Sequence, residues 1–153
     1  MAFFHQKKAE GDHAESLFIH FLIRSNFKIK KGIELQQPYD YIVLKEPKSY
    51  NIEIKKYGRP ELQTIFAETL QISKKNKKES IPEYLKHTED IDWIIYVDVD
   101  NLQAFIYDVK VFASYVRANM HMEKTIAYGT ARGIIIPECC QEAGFKKKIY
   151  IGE

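Results

Sequence analysis

The sequence predicts an α+β (α/β-like) fold in which a central mixed β-sheet is flanked by helices. Segments of helical and of strand character follow one another along the whole chain, with no linker, repeat or low-complexity stretch between them. Of the 153 residues, 45% are hydrophobic and 29% are charged, as in ordinary soluble globular proteins. A chain of this length can bury a core without disulfides or metals. We therefore predict a single domain over residues 1–153.

Charge limits the classes of protein to consider. The net charge is only +2, which excludes a polybasic nucleic-acid coat. Lysines nevertheless cluster in the segments KIKK (28–31), KKNKK (74–78) and KKK (146–148). Each cluster is able to contact phosphate, although a lysine cluster taken alone is more often a solvated face.

Cysteine usage and hydropathy indicate the compartment. Cys139 and Cys140 are adjacent and no C-x-x-C motif occurs, so neither a disulfide nor a zinc site is expected. The N-terminal residues lack the apolar core of a signal peptide, and no apolar run reaches the ~18 residues of a membrane span. We expect a soluble, cytoplasmic protein without membrane contact.

The first predicted element is a helix over residues 10–26. Its apolar residues recur at i, i+3, i+4, i+7 and i+8 and form one stripe: Ala14, Leu17, Phe18, Phe21 and Leu22. On a helical wheel Glu15 lies beside Leu22, at the edge of this stripe rather than on the polar face. Glu15 is therefore expected at the border between the core and solvent.

Two strands and a second helix are predicted next. The runs YDYIVL (39–44) and YNIEIKK (50–56) have strand character, and the turn-forming segment KEPKS separates them. The following GRP ends the second strand, and Pro60 takes the first position of a helix. The inner face of this helix is predicted to carry six residues: Leu62, Ile65, Phe66, Thr69, Leu70 and Ser73.

The rest of the chain begins with a polar, irregular segment at 79–91. In chain order the elements after it are strands at 92–99 and 103–109, a helix at 111–120, a strand at 133–137, one or two helical turns ending at Gly144, and a last strand within 147–151. The predicted core order is α-β-β-α-β-β-α-β.

The predicted hairpin carries an unusual set of charges. Side chains alternate across a strand, so Glu53 and Lys55 share one face, and Asp40 on the partner strand faces the same way. A loop over residues 45–48 sets Asp40 opposite Glu53 with Cβ atoms ~5 Å apart, whereas a loop over 46–49 pairs Asp40 with Lys55. In the first register two carboxylates repel each other, and a divalent cation is the natural compensation.

These residues suit a magnesium site. Mg²⁺ takes oxygen ligands, typically one or two carboxylates together with water and substrate phosphate. Asp40 and Glu53 supply carboxylates, and the backbone carbonyl of Ile54 is placed to supply a third oxygen. Lys55, on the same face, would lie beside the bound water and stabilise the charge that develops on the phosphate.

The spacing of these residues resembles a nuclease signature. Asp40, twelve intervening residues and then Glu53-Ile54-Lys55 resemble the motif of the PD-(D/E)XK nuclease superfamily, although Tyr39 separates Pro38 from the aspartate. The segment GDHAESLFIHFLIRSNF also resembles the first helix of Holliday-junction resolvases, whose Ala-Glu pair maps onto residues 14 and 15. The resemblance covers roughly residues 10–110 and implies a restriction-endonuclease-like core.

The resemblance implies a metal-dependent DNA endonuclease. Asp40 and Glu53 would hold Mg²⁺, for which Mn²⁺ would be able to substitute, Glu15 would support the same or a second ion, and Lys55 would orient or activate water. The substrate would be DNA, recognised by its structure (a junction, flap or end). A homodimer would supply one active site for each DNA strand, and the interface between its subunits would lie at 93–99 or 111–120. A non-catalytic module that keeps the fold and binds nucleic acid or protein is the alternative, and a nuclease acting on RNA is also open.

Five further residues are weaker candidates. Lys56 and Tyr57 follow the motif and could contact DNA, although a tyrosine there more often packs at the strand end. Gln63 and Glu68, on the helix predicted from Pro60, would flank the site as auxiliary residues. Arg132 lies in the loop YGTARG, which could touch the DNA backbone; the loop lacks a P-loop lysine, so no nucleotide cofactor is expected.

Overall fold

The computed structural model describes residues 2–32, 37–73, 75–126 and 131–153, with the backbone alone for residues 2–10 and 126. Within these residues the helices are α1 (Ala2–Arg24), α2 (Glu83–Lys86) and α3 (Val109–Ala118). The strands are β1 (Lys28–Lys31), β2 (Tyr41–Lys45), β3 (Lys48–Lys56), β4 (Thr64–Ile72), β5 (Glu79–Ser80), β6 (Trp93–Asp98), β7 (Gln103–Asp108), β8 (Lys124–Ile126), β9 (Ala131–Pro137) and β10 (Phe145–Tyr150).

The strands form two sheets. Six strands join in the order β1-β2-β3-β6-β7-β10, and four join in the order β5-β4-β9-β8. In the larger sheet β3 and β6 run parallel while the other neighbours are antiparallel. One face of this sheet packs against α1, and the other shares an apolar core with α3 and the smaller sheet. The predicted fold class, α+β with a central mixed sheet flanked by helices, is confirmed.

Helix α1 begins well before the predicted start near residue 10. Its described buried residues lie four apart, at Ala14, Phe18 and Leu22, and they pack on the larger sheet. Residues 2–10 contain no glycine or proline, and a helix propagates more easily than it nucleates, so it extends past its apolar stripe. The helix ends at Arg24, and Asn26 just beyond it has a φ of 67°, with the Phe27 N–H donating to Leu22 C=O at 3.0 Å.

The hairpin adopts the first of the two registers. Leu44 pairs with Ser49 and Tyr41 with Ile52, so continuation of the ladder sets Asp40 opposite Glu53. Strand β1, which the sequence showed only as a lysine cluster, pairs with β2. Three strands therefore precede Pro60 instead of the predicted two. Strand β1 is short and mostly exposed, and edge strands of this kind carry lysines that block further pairing.

The helix predicted from Pro60 is wrong. A 3₁₀ turn at Pro60–Leu62 leads through Gln63, in a left-handed conformation, into strand β4. Burial along β4 alternates, with Ile65, Ala67 and Thr69 inside. This period of two is the signature of a strand, whereas the apolar residues alone also fit a helical period. The error follows from choosing the wrong period for an ambiguous apolar run.

The segments after β4 agree more closely with the sequence. Strands β6, β7, β9 and β10 and helix α3 lie within a few residues of their predicted positions. The segment 79–91 instead contains β5 and α2, two elements too short to leave a periodic pattern. Lys74 in the lysine cluster 74–78, and residues 128–130 of the YGTARG loop, lie outside the described residues.

Strand β6 cannot supply the dimer interface that the sequence suggested. It lies between β3 and β7 in the larger sheet, and residues 94–98 are buried. An apolar strand of this kind is hydrophobic because both of its faces are covered within the chain. The outer side of α3, where Val111 is exposed, is the other predicted surface. Across the described helices, no segment has the length and apolar character needed to cross a bilayer.

Candidate active site

Strand β3 carries two charged residues into the interior. Ile52 and Ile54 point to the α1 side, where they join its apolar core. Glu53 and Lys55 alternate with them and so face the other core, beside Ile94 and Tyr96 in the parallel register with β6. Because β3 has a neighbour on each side, its backbone is held firmly and both side chains start from fixed positions.

Asp40 is tied to the residues on both sides of Glu53. Its backbone N–H donates to Ile52 C=O at 3.0 Å. Its Oδ2 accepts a hydrogen bond from the Ile54 N–H at 2.8 Å. Burial raises the pKa of Asp40, while this hydrogen bond and the charge of Lys55 oppose that rise. The carboxylate is thus fixed just before the start of β2, beside the second half of β3, rather than being a mobile surface group.

Glu53 is a buried carboxylate with incomplete hydrogen bonding. The residue is 5% exposed, and its Oε2 has no hydrogen-bond partner among the described residues. Burial raises its pKa to about 7, against the lowering effect of Lys55 and with a further rise from Asp40. A buried oxygen without a partner is costly, and such atoms in native proteins call for an explanation such as an ion.

Lys55 lies beside Glu53 and keeps its charge. Its Nζ is 3.8 Å from Glu53 Oε1. Burial lowers the pKa of Lys55, but the carboxylates of Glu53, Glu68 and Asp40 together outweigh that effect and raise it. Lys55 is therefore an ammonium cation at neutral pH. A cation in this position can stabilise negative charge, whereas it has no lone pair with which to act as a base.

Glu15 comes within electrostatic reach of the site from α1. The residue is half-buried. Burial raises the pKa of Glu15, and the charges of Asp40 and Asp12 raise it further. Lys31 and Lys55 lower it. The sequence predicted that Glu15 would lie at the edge of the apolar stripe, and the half-burial agrees with that position.

The two auxiliary candidates have different positions. Glu68 lines a groove that Lys55 also lines, and its Oε2 accepts a hydrogen bond from Gln71 Nε2 at 2.8 Å. It reaches the groove from strand β4 rather than from the predicted helix. Gln63 is exposed at the end of the 3₁₀ turn, where its carbonyl accepts from the Glu138 N–H. Only Glu68 is placed so that its charge acts on Glu53 and Lys55.

The proposed DNA contacts also differ. Lys56 lines the groove beside Lys55. Tyr57 is 2% exposed, and its hydroxyl donates to Glu138 Oε2 at 2.7 Å, so it packs at the strand end as the alternative interpretation held. Arg132 is exposed on the smaller sheet, 3.8 Å from Glu123. Contact of these residues with DNA stays a prediction.

Two residues near the site were not found from the sequence. Glu83 and Tyr84 lie on α2, in the segment predicted to be irregular. The charge of Glu83 raises the pKa of Glu53, and the Tyr84 hydroxyl donates to the Glu68 carbonyl. The local sequence signal for α2 was Pro82, which precedes this short helix. A single helical turn has too little periodicity to predict which of its side chains face the core.

The donor set fits a hard divalent cation that is completed by the substrate. Among the described residues, no group of three or more His, Cys, Asp or Glu side chains forms a ready-made cage. Mg²⁺ commonly binds through one or two carboxylates, with waters and phosphate oxygens filling the rest. Glu53 Oε2, which is buried and has no partner within the ranges that the structure describes, and the neighbouring Asp40 match that requirement.

The fold of the chain is similar to that of a solved endonuclease structure. A similar solved structure is "The structure of a bacterial homing endonuclease: I-Ssp6803I", with a TM-score of 0.55 and 18% sequence identity, covering 71% of this chain and 72% of that chain. At this identity the likeness shows the fold alone. No family model matches the sequence, and no curated protein matches it. The expected fold therefore has the support of a structural likeness, while membership of the PD-(D/E)XK superfamily stays a prediction.

Proposed function

We propose that the chain is a metal-dependent DNA endonuclease of the PD-(D/E)XK type, which hydrolyses phosphodiester bonds. The observation that carries this is Glu53, a buried carboxylate next to Asp40 and Lys55 whose Oε2 has no hydrogen-bond partner in the described part of the chain. A structural ion pair would be expected to satisfy its own oxygens. The similarity of the fold to that of a homing endonuclease supports the same function.

The carboxylates of Asp40 and Glu53, with the carbonyl of Ile54, would hold Mg²⁺ or Mn²⁺. When bound, the ion polarises the phosphate and lowers the pKa of a coordinated water. The Ile54 N–H holds Asp40 in place, and burial of the Ile54 side chain keeps β3 rigid. Glu15, on α1, supports the same ion or a second one.

Lys55 stabilises the reaction by charge. As an ammonium group it lies next to Glu53 and can balance the negative charge that grows on the phosphate oxygens, or orient the attacking water. The neighbouring carboxylates keep it protonated, so its part is electrostatic stabilisation rather than proton abstraction. The scissile phosphate would lie between Lys55 and the two carboxylates.

A homodimer is the proposed assembly. Two cuts on opposite strands need two active sites, and the described chain contains one such cluster. The outer side of α3 around Val111 is the surface that remains from the sequence prediction. Sedimentation equilibrium of the wild type and of Val111→Lys tests this, because a buried lysine would dissociate a dimer built on α3.

Cleavage and metal binding together test the function. The purified protein is incubated with linear, supercoiled, single-stranded and branched DNA in Mg²⁺, Mn²⁺ or EDTA, and its melting temperature is measured in the same buffers. We expect cutting and a rise in melting temperature with either ion, both absent in Asp40→Asn. Glu46→Gln, which removes an exposed carboxylate from the hairpin turn, is the matched control and should behave as wild type.

Each other outcome has a defined meaning. DNA binding without cutting and without an ion-dependent change in melting temperature would contradict the enzyme and favour the non-catalytic module. Cutting of RNA but not of DNA would support phosphodiester hydrolysis and would contradict DNA as the substrate. Full activity in EDTA would contradict the metal dependence.

A further inference from the structure

Three large apolar side chains are gathered in the groove beside Lys55. Leu62 is 55% exposed and Ile135 is 42% exposed, and both line this groove with the half-buried Phe66. Phe66 and Ile135 pair directly across β4 and β9. Single exposed apolar residues are ordinary, but a group of them in one groove marks a contact surface. We call Leu62, Phe66 and Ile135 the apolar ledge.

The aromatic ring of the ledge is held in place. A Cβ atom added to Gly133, on the neighbouring strand, would come within 2.6 Å of Phe66 Cζ and 2.9 Å of its Cε1. The Phe66 ring therefore lies against the glycine backbone, in space that any other residue would occupy. A ring fixed in this way loses little conformational freedom when a flat ligand stacks on it.

The charges around the ledge suit a nucleotide. The lining residues include the cations Lys55, Lys56 and Arg59 and one carboxylate, Glu68. Arg59 is paired with Glu61, but both side chains are exposed, so this pair is weak and exchanges readily for a phosphate. Phosphate is thus attracted to these three cations, which we call the cationic rim, while Glu68 disfavours phosphate beside its own carboxylate. An uncharged, flat group suits the ledge itself.

The size of the groove favours a single nucleotide. Its volume is about 560 Å³, within the ~300–1,000 Å³ typical of pockets for small molecules. A stacked base pair with its two backbones needs an open surface rather than a recess of this size. One base that has left the duplex stack is able to enter it.

We propose that the apolar ledge receives an unpaired base of the DNA substrate, so that the site acts next to an extrahelical or single-stranded nucleotide. This inference rests on the proposed nuclease function and names its substrate class. The base stacks on Phe66 between Leu62 and Ile135, while its phosphates meet the cationic rim.

Binding of matched DNA duplexes tests the proposal. Three fluorescent duplexes share one sequence and carry one bulged adenosine, one bulged abasic residue, or no bulge, and affinity is measured by anisotropy in EDTA. Stacking of one base on an aromatic side chain is expected to strengthen binding of the adenosine bulge over the abasic bulge by about 5- to 100-fold. A bulged 2-aminopurine should change its fluorescence on binding. In Mg²⁺ the adenosine-bulged duplex should be cut faster than the paired one.

Variants assign the preference to the ledge. Leu62→Ser and Ile135→Ser change exposed side chains, so they should fold normally and lose most of the preference for the adenosine bulge. Ile23→Ser is the matched control, because Ile23 is 56% exposed on α1 and does not line the groove. It should retain the full preference.

The failures of the two proposals are distinguishable. Equal affinity for the adenosine and abasic bulges would overturn the base-binding role while leaving the nuclease proposal standing. An unchanged preference in both Leu62→Ser and Ile135→Ser would also overturn it. Failure to bind or cut any of the three duplexes would overturn both proposals.

Discussion

At the residue level, the site combines four carboxylates (Asp40, Glu53, Glu15 and Glu68) and one ammonium group whose properties depend on one another. Glu53 is the most deeply buried of them, and its pKa of about 7 arises mainly from burial. Lys55 limits that rise and is itself kept charged by the surrounding carboxylates. Removing one partner therefore changes the others, so variants must be compared at a pH where Glu53 is ionised.

Lys55→Ala and Asp40→Asn should fail in different ways. Lys55→Ala keeps both carboxylates, so at pH 8.5 it should still bind Mg²⁺ while hydrolysis falls by ~10²-fold or more, as expected when an electrostatic stabiliser of the transition state is removed. Asp40→Asn should lose cleavage because the ion is bound weakly, and relief of carboxylate repulsion should raise its thermal stability. Calorimetric Mg²⁺ titration and a cleavage assay measure both. Normal cleavage by Lys55→Ala would show that Lys55 is structural.

Stability of the metal-free protein should depend on Glu53. The pKa of Glu53 is raised from 4.5 to about 7 on folding, so its stabilising contribution is complete below pH 4.5 and is lost as the pH rises through 7. The free energy of unfolding should fall across this range by at most about 3 kcal/mol. Glu53→Gln cannot ionise and should reduce this slope.

Urea unfolding in EDTA at pH 5, 6, 7 and 8 measures the slope. Glu46→Gln, exposed in the hairpin turn, should keep the wild-type dependence. A Glu53→Gln protein with the wild-type slope would mean that other groups, such as Asp40 or Glu15, carry the pH dependence.

At the level of elements, the junctions decide where side chains point. Gln63, with a φ of 54°, turns the chain from the 3₁₀ turn into β4, and β4 then brings Phe66 and Glu68 to the groove. Gly144, with a φ of 86°, ends the turn before β10 and packs against α3. Position 144 requires a glycine for two independent reasons: its φ is positive, and there is no room for a Cβ atom.

Gly144→Ala should therefore destabilise the protein by about 1–3 kcal/mol. A Cβ there would lie 2.8 Å from Val111 Cβ and 3.0 Å from the Asp108 carbonyl oxygen. Gly11→Ala is the contrasting variant, because Gly11 lies inside α1 with nothing within 4 Å of an added Cβ. It should stabilise by about 0.5–1 kcal/mol. Chemical denaturation measures the change in the free energy of unfolding for both variants. Equal changes of the same sign would contradict the conclusion that only position 144 requires a glycine.

At the level of the whole molecule, the site joins three parts of the fold. The β2–β3 hairpin supplies Asp40, Glu53 and Lys55, helix α1 supplies Glu15, and the smaller sheet supplies Glu68. An ion bound at this junction would stabilise only the folded state, so it should raise the melting temperature of the whole protein.

The rise in melting temperature with Mg²⁺ should be larger at pH 8.5 than at pH 6. Glu53 has a pKa of about 7 without metal, so at pH 6 the ion must displace its proton before binding, whereas at pH 8.5 the carboxylate is already charged. Differential scanning fluorimetry across an Mg²⁺ series at both pH values measures this. An equal shift at both pH values would show that Glu53 is not a ligand.

The sequence alone determined the features that depend on neighbouring residues. The alternation in 39–56, together with its turn residues, predicted the hairpin and the shared face of Asp40, Glu53 and Lys55, and the first of its two registers is the observed one. Local periodicity also predicted β6, β7 and α3. Such patterns are readable because side-chain direction follows directly from the backbone repeat.

Only the tertiary structure decided the features that depend on distant partners. The apolar run after Pro60 fits either a helix or a strand in isolation, and its pairing with β9, far along the chain, makes it a strand. The same pairing brings Glu68 toward Lys55, and β1 forms because β2 offers it a partner. Burial of Glu53, and hence its raised pKa, likewise comes from elements packed over it. These outcomes depend on long-range packing, which no local sequence pattern records.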